Sequence, residues 1–207
     1  MKFILVGPRF NSKDATKLKK LNAPWIAVDG GLDFIKKIGI EPLFAIGDWD
    51  SLKNKKLLKH CDHITLPVRK DRNDLYYALE ALKGLDPSEV HLFGFDLGRL
   101  DHEMSNLFEI SAFIENNQKI KVIYLRRDEQ LHFVSQAKHS LNLKQNQIVS
   151  FFSMGEKPAR DVSLTGFEYA LKGETLYPSS HALSNRAIKK KCQISVATGV
   201  LMIVINQ

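Results

Sequence analysis

Two pairs of aspartates are the strongest chemical features of this sequence. Asp48 and Asp50 sit two apart in Gly47-Asp48-Trp49-Asp50-Ser51, and Asp71 and Asp74 sit three apart in Arg69-Lys70-Asp71-Arg72-Asn73-Asp74. Adjacent carboxylates repel unless a proton or a cation lies between them, and hard oxygen ligands suit magnesium. In an extended segment Asp48 and Asp50 point to one side while Trp49 turns the other way into packing. The same two acids also serve as solvated loop residues, with Ser51 opening a helix. Asp71 and Asp74 stand where the helical segment LYYALEALKG begins, a place where acids cap the helix and complement its dipole. The cations Arg69, Lys70 and Arg72, interleaved with them, favour a site for phosphate and metal over a bare helix end. Two further loops carry polar chemistry. The glycines of Asp29-Gly30-Gly31 let backbone amides approach an anion, a role that competes with a plain turn. In Gly98-Arg99-Leu100-Asp101-His102, Arg99 suits bidentate phosphate contact, Asp101 suits capping or orienting Arg99, and His102 suits proton transfer or simple positioning.

These loops need a scaffold that brings them together. Short apolar runs at 2–6, 25–28, 43–46, 63–66, 90–94 and 120–125 alternate with helical segments near 14–21, 31–38, 52–59, 74–83 and 101–116. That alternation predicts βα units and a mostly parallel, Rossmann-like sheet flanked by helices over residues 1–126. The acids then fall at the carboxyl ends of strands, where open α/β sheets form their ligand crevices. From residue 127 to 207 the pieces LHFVSQ, LNLKQ, QIVSFFSM, DVSLTGFEYAL, CQISVAT and GVLMIVIN have strand length and no helical period, so an all-β domain is expected. Thr198-Gly199 reads as a tight hairpin turn between the last two strands.

Composition narrows the setting. The chain has 207 residues, 44% hydrophobic and 26% charged, enough for one large or two small globular domains. Its N-terminal apolar run is far shorter than a membrane span and has no signal-peptide form, so no membrane association is expected. Cys61 and Cys192 lack metal-ligand or disulfide-framework spacing, which suits a reducing cytoplasm. The net charge of +7 is spread along the chain and lacks the interleaved aromatics of a base-stacking surface. An anionic small substrate accounts for it without nucleic acid.

Taken in order, DGG, GDWDS, KDRND before an apolar helix, GRLDHEMSN, and the later TGFEYALKGETL with Ser184-Asn185 resemble the thiamine pyrophosphokinase family over nearly the whole chain. The resemblance implies an N-terminal catalytic domain and a C-terminal β-sandwich that helps bind thiamine. It also implies a homodimer with active sites between subunits. The reaction it implies moves a pyrophosphoryl group from ATP to thiamine, giving thiamine diphosphate and AMP. Carried over by position, Asp48, Asp50 and Asp74 would ligate magnesium with Asp71 beside them. Asp29, Gly30, Gly31, Ser51, Lys70, Arg99, Asp101 and His102 would surround ATP, with Asp71 or Asp101 to receive the hydroxyl proton. Ser184 and Asn185 would contact thiamine. This sequence departs from the family at Trp49, Asn73, Asp96-Leu97, Ala182 and Arg186. The altered surroundings of Ser184-Asn185 leave a second reading, a pyrophosphokinase for a hydroxymethyl-pterin or another small alcohol, and the positive charge motivates a third, a non-enzymatic nucleotide-binding module.

Overall fold

The computed structural model describes residues 1–9, 15–96 and 98–206. Asp14, where the first helix was expected to start, and Leu97 in the Arg99 loop lie outside the described residues. The protein is a mixed α/β chain that divides into two compact units, Met1–Glu109 and Ile110–Gln207.

In the first unit, strands β1 (Lys2–Val6), β2 (Trp25–Val28), β3 (Phe44–Gly47), β4 (His63–Thr65) and β5 (Glu89–Phe93) form a parallel sheet in the order β5-β1-β2-β3-β4. Helices α1 (Ala15–Lys19), α2 (Gly31–Lys37) and α3 (Asp74–Lys83) and a 3-10 segment (Lys55–His60) connect them, and α4 (Leu100–Asn116) follows β5. Nearly every residue of β1 and β2 is buried, as expected of parallel strands covered on both faces. Helix α3 buries Leu75, Ala78, Leu79 and Leu82, one face at helical spacing. The register pairs Val6 with Phe93 and with Ala27, Val28 with Ile46, and Gly47 with Thr65, so the carboxyl ends of all five strands lie at one edge. The loops carrying Asp29, Asp48, Lys70 and Phe95 leave from that edge.

The second unit contains β6 (Lys121–Leu125), β7 (Glu129–Val134), β8 (Ala137–Asn142), β9 (Ile148–Ser153), β10 (Ala159–Thr165), β11 (Leu171–Leu176), β12 (Ala182–Arg186), β13 (Lys191–Val196) and β14 (Leu201–Asn206). β12-β9-β14-β7-β6 pair antiparallel, and so do β11-β10-β13-β8. Phe151, Ile203 and Ile205 from the first set share a core with Val162, Leu164 and Ile194 from the second. The hairpin expected at Thr198-Gly199 is not there. β13 pairs with β8 and β10, whereas β14 pairs with β7 and β9, so this turn carries the chain from one sheet to the other. Gly199 has φ +78°, and a Cβ on it would stand 2.6 Å from the Pro158 carbonyl oxygen. Its glycine serves a close backbone crossing and not a two-residue hairpin. Among the described residues, no helix is long and apolar enough to cross a membrane.

Candidate active site

The site begins where β2 ends. Asp29 is buried and adopts φ +48°, donating its N–H to the Ile46 carbonyl at 2.8 Å. Gly47 on the neighbouring strand makes this possible, because a Cβ there would lie 2.8 Å from Asp29 Cα. Ser51 holds the carboxylate. Its N–H at 3.3 Å and its hydroxyl both donate to Asp29 Oδ2, while its Oγ accepts from the Gly30 N–H at 3.0 Å. Gly31 opens α2 against β1 so closely that a Cβ would fall 1.9 Å from the Val6 oxygen.

Asp48 and Asp50 converge, but not through the extended backbone that alternation predicts. Trp49 has φ +66°, and Asp48 Oδ1 accepts the Asp50 N–H at 3.2 Å, which bends the loop into a tight turn. Burial of the indole provides the compensation for this uncommon conformation. Trp49 is 5% exposed, donates Nε1–H to Thr65 Oγ1 at 2.9 Å and meets the His63 ring edge-on at 5.8 Å. Carboxylate oxygens of Asp29, Asp48 and Asp50 thereby lie within 4.8 Å of one another. Burial, then the charges of Asp48 and Asp29, raise the Asp50 pKa above the usual carboxylate range. Asp29 Oδ1 is buried without a hydrogen-bond partner. Crowded acids with an orphaned buried oxygen fit a hard divalent cation such as magnesium.

Lys70 and Asp74 adjoin this group. Lys70 Nζ bonds Asp48 Oδ2 at 2.5 Å and lies 3.0 Å from Asp74 Oδ1, a contact of ion-pair distance without hydrogen-bond alignment. Burial pulls the Lys70 pKa down, but its two carboxylate neighbours outweigh that and raise it. Burial raises the Asp74 pKa, against the opposing pull of Lys70. The cap of α3 is Asn73, whose Oδ1 accepts the Tyr76 N–H at 3.0 Å. Neither acid of that loop is spent on capping.

A cleft of about 600 Å³ collects Asp29, Asp48, Asp50, Ser51, Lys70, Asp74 and His102. Asp71 is exposed and is not among its lining residues. Arg99 and Asp101, both about two-thirds exposed, do not line it either. Arg99 donates Nε–H at 3.2 Å and Nη2–H at 2.6 Å to the Asp101 carboxylate. That contact lowers the Asp101 pKa, and Asp101 Oδ1 also accepts the His102 N–H at 3.0 Å. The cleft also takes in Arg72, one of the cations interleaved with the acids of KDRND, together with Arg9, Lys53 and Asn106, none of which was singled out from the sequence.

In the second unit, Ser184 and Asn185 lie in strand β12. Ser184 has φ +55° at a register shift and donates its N–H to Ser150 Oγ at 3.0 Å. Asn185 is 2% exposed. Its Oδ1 accepts from the N–H groups of Tyr169 at 3.0 Å and Arg186 at 2.9 Å, and its Nδ2 donates to the Tyr169 carbonyl at 2.7 Å. The Ser184 side chain is exposed.

Residues 15–123 match the family model for the thiamin pyrophosphokinase catalytic domain, and residues 138–201 match that for the thiamin pyrophosphokinase vitamin B1 binding domain. The chain belongs to the thiamine pyrophosphokinase family. Thiamine pyrophosphokinase of Bacillus subtilis is 28% identical over 206 residues, covering 96% of this chain and 94% of that protein. The fold is likewise that of solved thiamine pyrophosphokinases. The Bacillus subtilis structure superposes with a TM-score of 0.83 at 23% identity, covering 99% of each chain. The Candida albicans structure gives 0.80 at 12% identity, over 100% of this chain and 89% of that one. Membership of this enzyme family agrees with the resemblance drawn from DGG, GDWDS, KDRND and GRLDHEMSN.

Proposed function

We propose that this chain is a thiamine diphosphokinase that transfers the pyrophosphoryl group of ATP to the hydroxyl of thiamine, releasing AMP. The supporting observation is the convergence of Asp29, Asp48 and Asp50 in one cleft, inside the segment that matches the family's catalytic domain. On this reading residues 1–126 form the Rossmann-like ATP and magnesium domain, and residues 127–207 form the thiamine-binding β-sandwich. Asp48, Asp50 and Asp74 would hold magnesium, with Asp29 beside them and Lys70 near enough to contact phosphate. Magnesium, when bound, supplies the positive charge that offsets charge growing on the transferred group and on departing AMP.

The chain's own residues bind and orient. Ser51 fixes the rotamer of Asp29, Trp49 fixes the turn that aims Asp48 and Asp50, and His102 lines the cleft at the mouth of α4. Such positioning is what phosphoryl transfer chiefly asks of a protein. Gly30 and Gly31 let the loop pack tightly behind Asp29, while Arg99 and Asp101 form an exposed pair available to ATP once the loop is engaged. Ser184, exposed beside a saturated Asn185, is the thiamine contact of the pair. The chain acts as a homodimer in the cytoplasm, consistent with free Cys61 and Cys192. The test is AMP release from MgATP with thiamine, compared with a hydroxymethyl-pterin and with no acceptor. Thiamine-dependent AMP is the expected result. Release only with the pterin would reassign the acceptor, and nucleotide binding without turnover would remove the enzyme reading.

A further inference from the structure

Within the cleft, the cations differ in what already holds them. Lys70 is clamped between Asp48 and Asp74, and Arg99 gives two donors to Asp101 outside the cleft lining. Arg72 is placed differently. It lines the cleft, with its Nη1 donating to Glu109 Oε1 at 3.1 Å and its Cζ 5.4 Å from the centre of the Tyr76 ring. The Glu109 side chain is 9% exposed whereas that of Arg72 is 57% exposed, so the carboxylate is the fixed partner and the guanidinium the accessible one. Tyr76 is itself anchored, because its N–H is the group that Asn73 caps. A guanidinium carries five N–H donors in a rigid fork, and one carboxylate contact leaves most of them for a ligand. A fork held at one edge by a buried acid and backed by an aromatic face is preorganised for bidentate contact with phosphate oxygens.

We infer that Arg72 is a phosphate-contacting residue of the cleft, with Glu109 and Tyr76 as its positioning residues, and that its ligand is the polyphosphate of the nucleotide. The inference rests on the ATP reading for the chemistry of its ligand and gives Arg72 a direct phosphate contact of the kind expected of Arg99 and Lys70. Arg72 contributes affinity for the triphosphate, while the aspartates contribute through the cation, so the two contributions separate experimentally.

The test compares Arg72→Met, Arg72→Lys, Glu109→Gln and the double variant Arg72→Met/Glu109→Gln with the unaltered chain. Calorimetric titrations in magnesium use ATP, inorganic tripolyphosphate and adenosine as probes. Arg72→Met is expected to weaken ATP and tripolyphosphate by about tenfold or more, the scale of a hydrogen bond to a charged group, and to leave adenosine unchanged. Arg72→Lys should recover part of the loss. Glu109→Gln should weaken tripolyphosphate by roughly threefold, since it loosens the guanidinium without removing it. In steady-state assays the ATP KM should rise while the thiamine KM stays fixed, a split that simple loss of folding does not produce. The double variant removes the buried acid together with its partner, which keeps a folded protein in the comparison. Wild-type tripolyphosphate affinity in a folded Arg72→Met or double variant would overturn the inference. If the unaltered chain binds tripolyphosphate through Arg72 yet releases no AMP with thiamine, the proposed activity fails and the Arg72 assignment stands.

Discussion

Asp29 shows how much of a site can depend on one side chain whose role the local sequence understates. One oxygen takes two donors from Ser51, the other is buried without a hydrogen-bond partner, and the carboxylate stands beside those of Asp48 and Asp50. Removing one charge from such a group relieves repulsion in the metal-free protein and removes a ligand from the metal-bound one. Asp29→Asn and Asp50→Asn should each reduce turnover by at least ~100-fold, the scale of losing a key electrostatic contact in phosphoryl or acyl transfer. Each should also abolish the magnesium-dependent rise in Tm without lowering the metal-free Tm. A normal magnesium-dependent Tm shift in Asp50→Asn would exclude it as a ligand. The convergence of Asp48 and Asp50 was legible from their spacing, but its route was not, because it runs through the left-handed backbone of Trp49 and not through an extended segment. Asp29 read as part of a glycine turn because its contribution depends on a left-handed backbone and on an adjacent strand that carries Gly47. Asn185 offers the opposite lesson. Its amide makes three bonds to backbone groups, so Asn185→Ala should cost about 2–3 kcal/mol through unpaired buried donors and acceptors, seen as a lowered Tm. Ser184→Ala should leave the melt unchanged and raise the thiamine KM. An unchanged KM in a folded Ser184→Ala protein would leave the pair structural.

At the scale of elements, hydrophobic runs were enough to place the five parallel strands within a residue or so; β1, β2, β3 and β5 are largely buried and leave nearly continuous apolar signatures, whereas β4 is exposed along its length and was marked only by its short HITL run. Turn geometry was less visible. Capping by Asp71 or Asp74 was the competing reading for the start of the LYYALEALKG helix, yet Asn73 takes that role through Tyr76 N–H and also reaches Ser105 Oγ and Asn106 Oδ1 on α4, each at 3.0 Å. Asn106 in turn donates to the Phe95 carbonyl at 3.1 Å, so one residue ties the start of α3 to the loop after β5. Asn73→Ala should therefore destabilise the chain by about 1–2 kcal/mol, the range for loss of an N-cap, in a urea melt. Asn73→Asp retains the capping acceptor and should recover part of that stability in the presence of magnesium. If Asn73→Ala melts with the unaltered chain, the cap contributes nothing and Asp74 is held by Lys70 alone.

For the molecule as a whole, the change from βα alternation to all-β character was legible, but β11 and β12 were not resolved as separate strands. LKGETL and ALSNR expose most of their side chains, so they lack the apolar alternation that marks a strand and are recognised only by their pairing with β10 and β9. The even spread of a +7 charge likewise told little about assembly. The surface says more. Leu100, Met104 and Phe108 are spaced four apart on α4 and are 75%, 40% and 54% exposed. Residues at that spacing share a helix face, and an apolar stripe left in water favours a partner surface. If two copies of the chain associate through this face, the unaltered protein should run as a dimer in light scattering. Phe108→Glu should then raise the dimer dissociation constant by at least about tenfold, within the range seen when an aromatic anchor is removed from an interface. Thermal melts at high protein concentration separate this from unfolding, because Phe108 is already half exposed and its loss leaves the core intact. A strictly monomeric unaltered chain, fully active when diluted to nanomolar concentration, would rule out the dimer and with it any active site shared between copies.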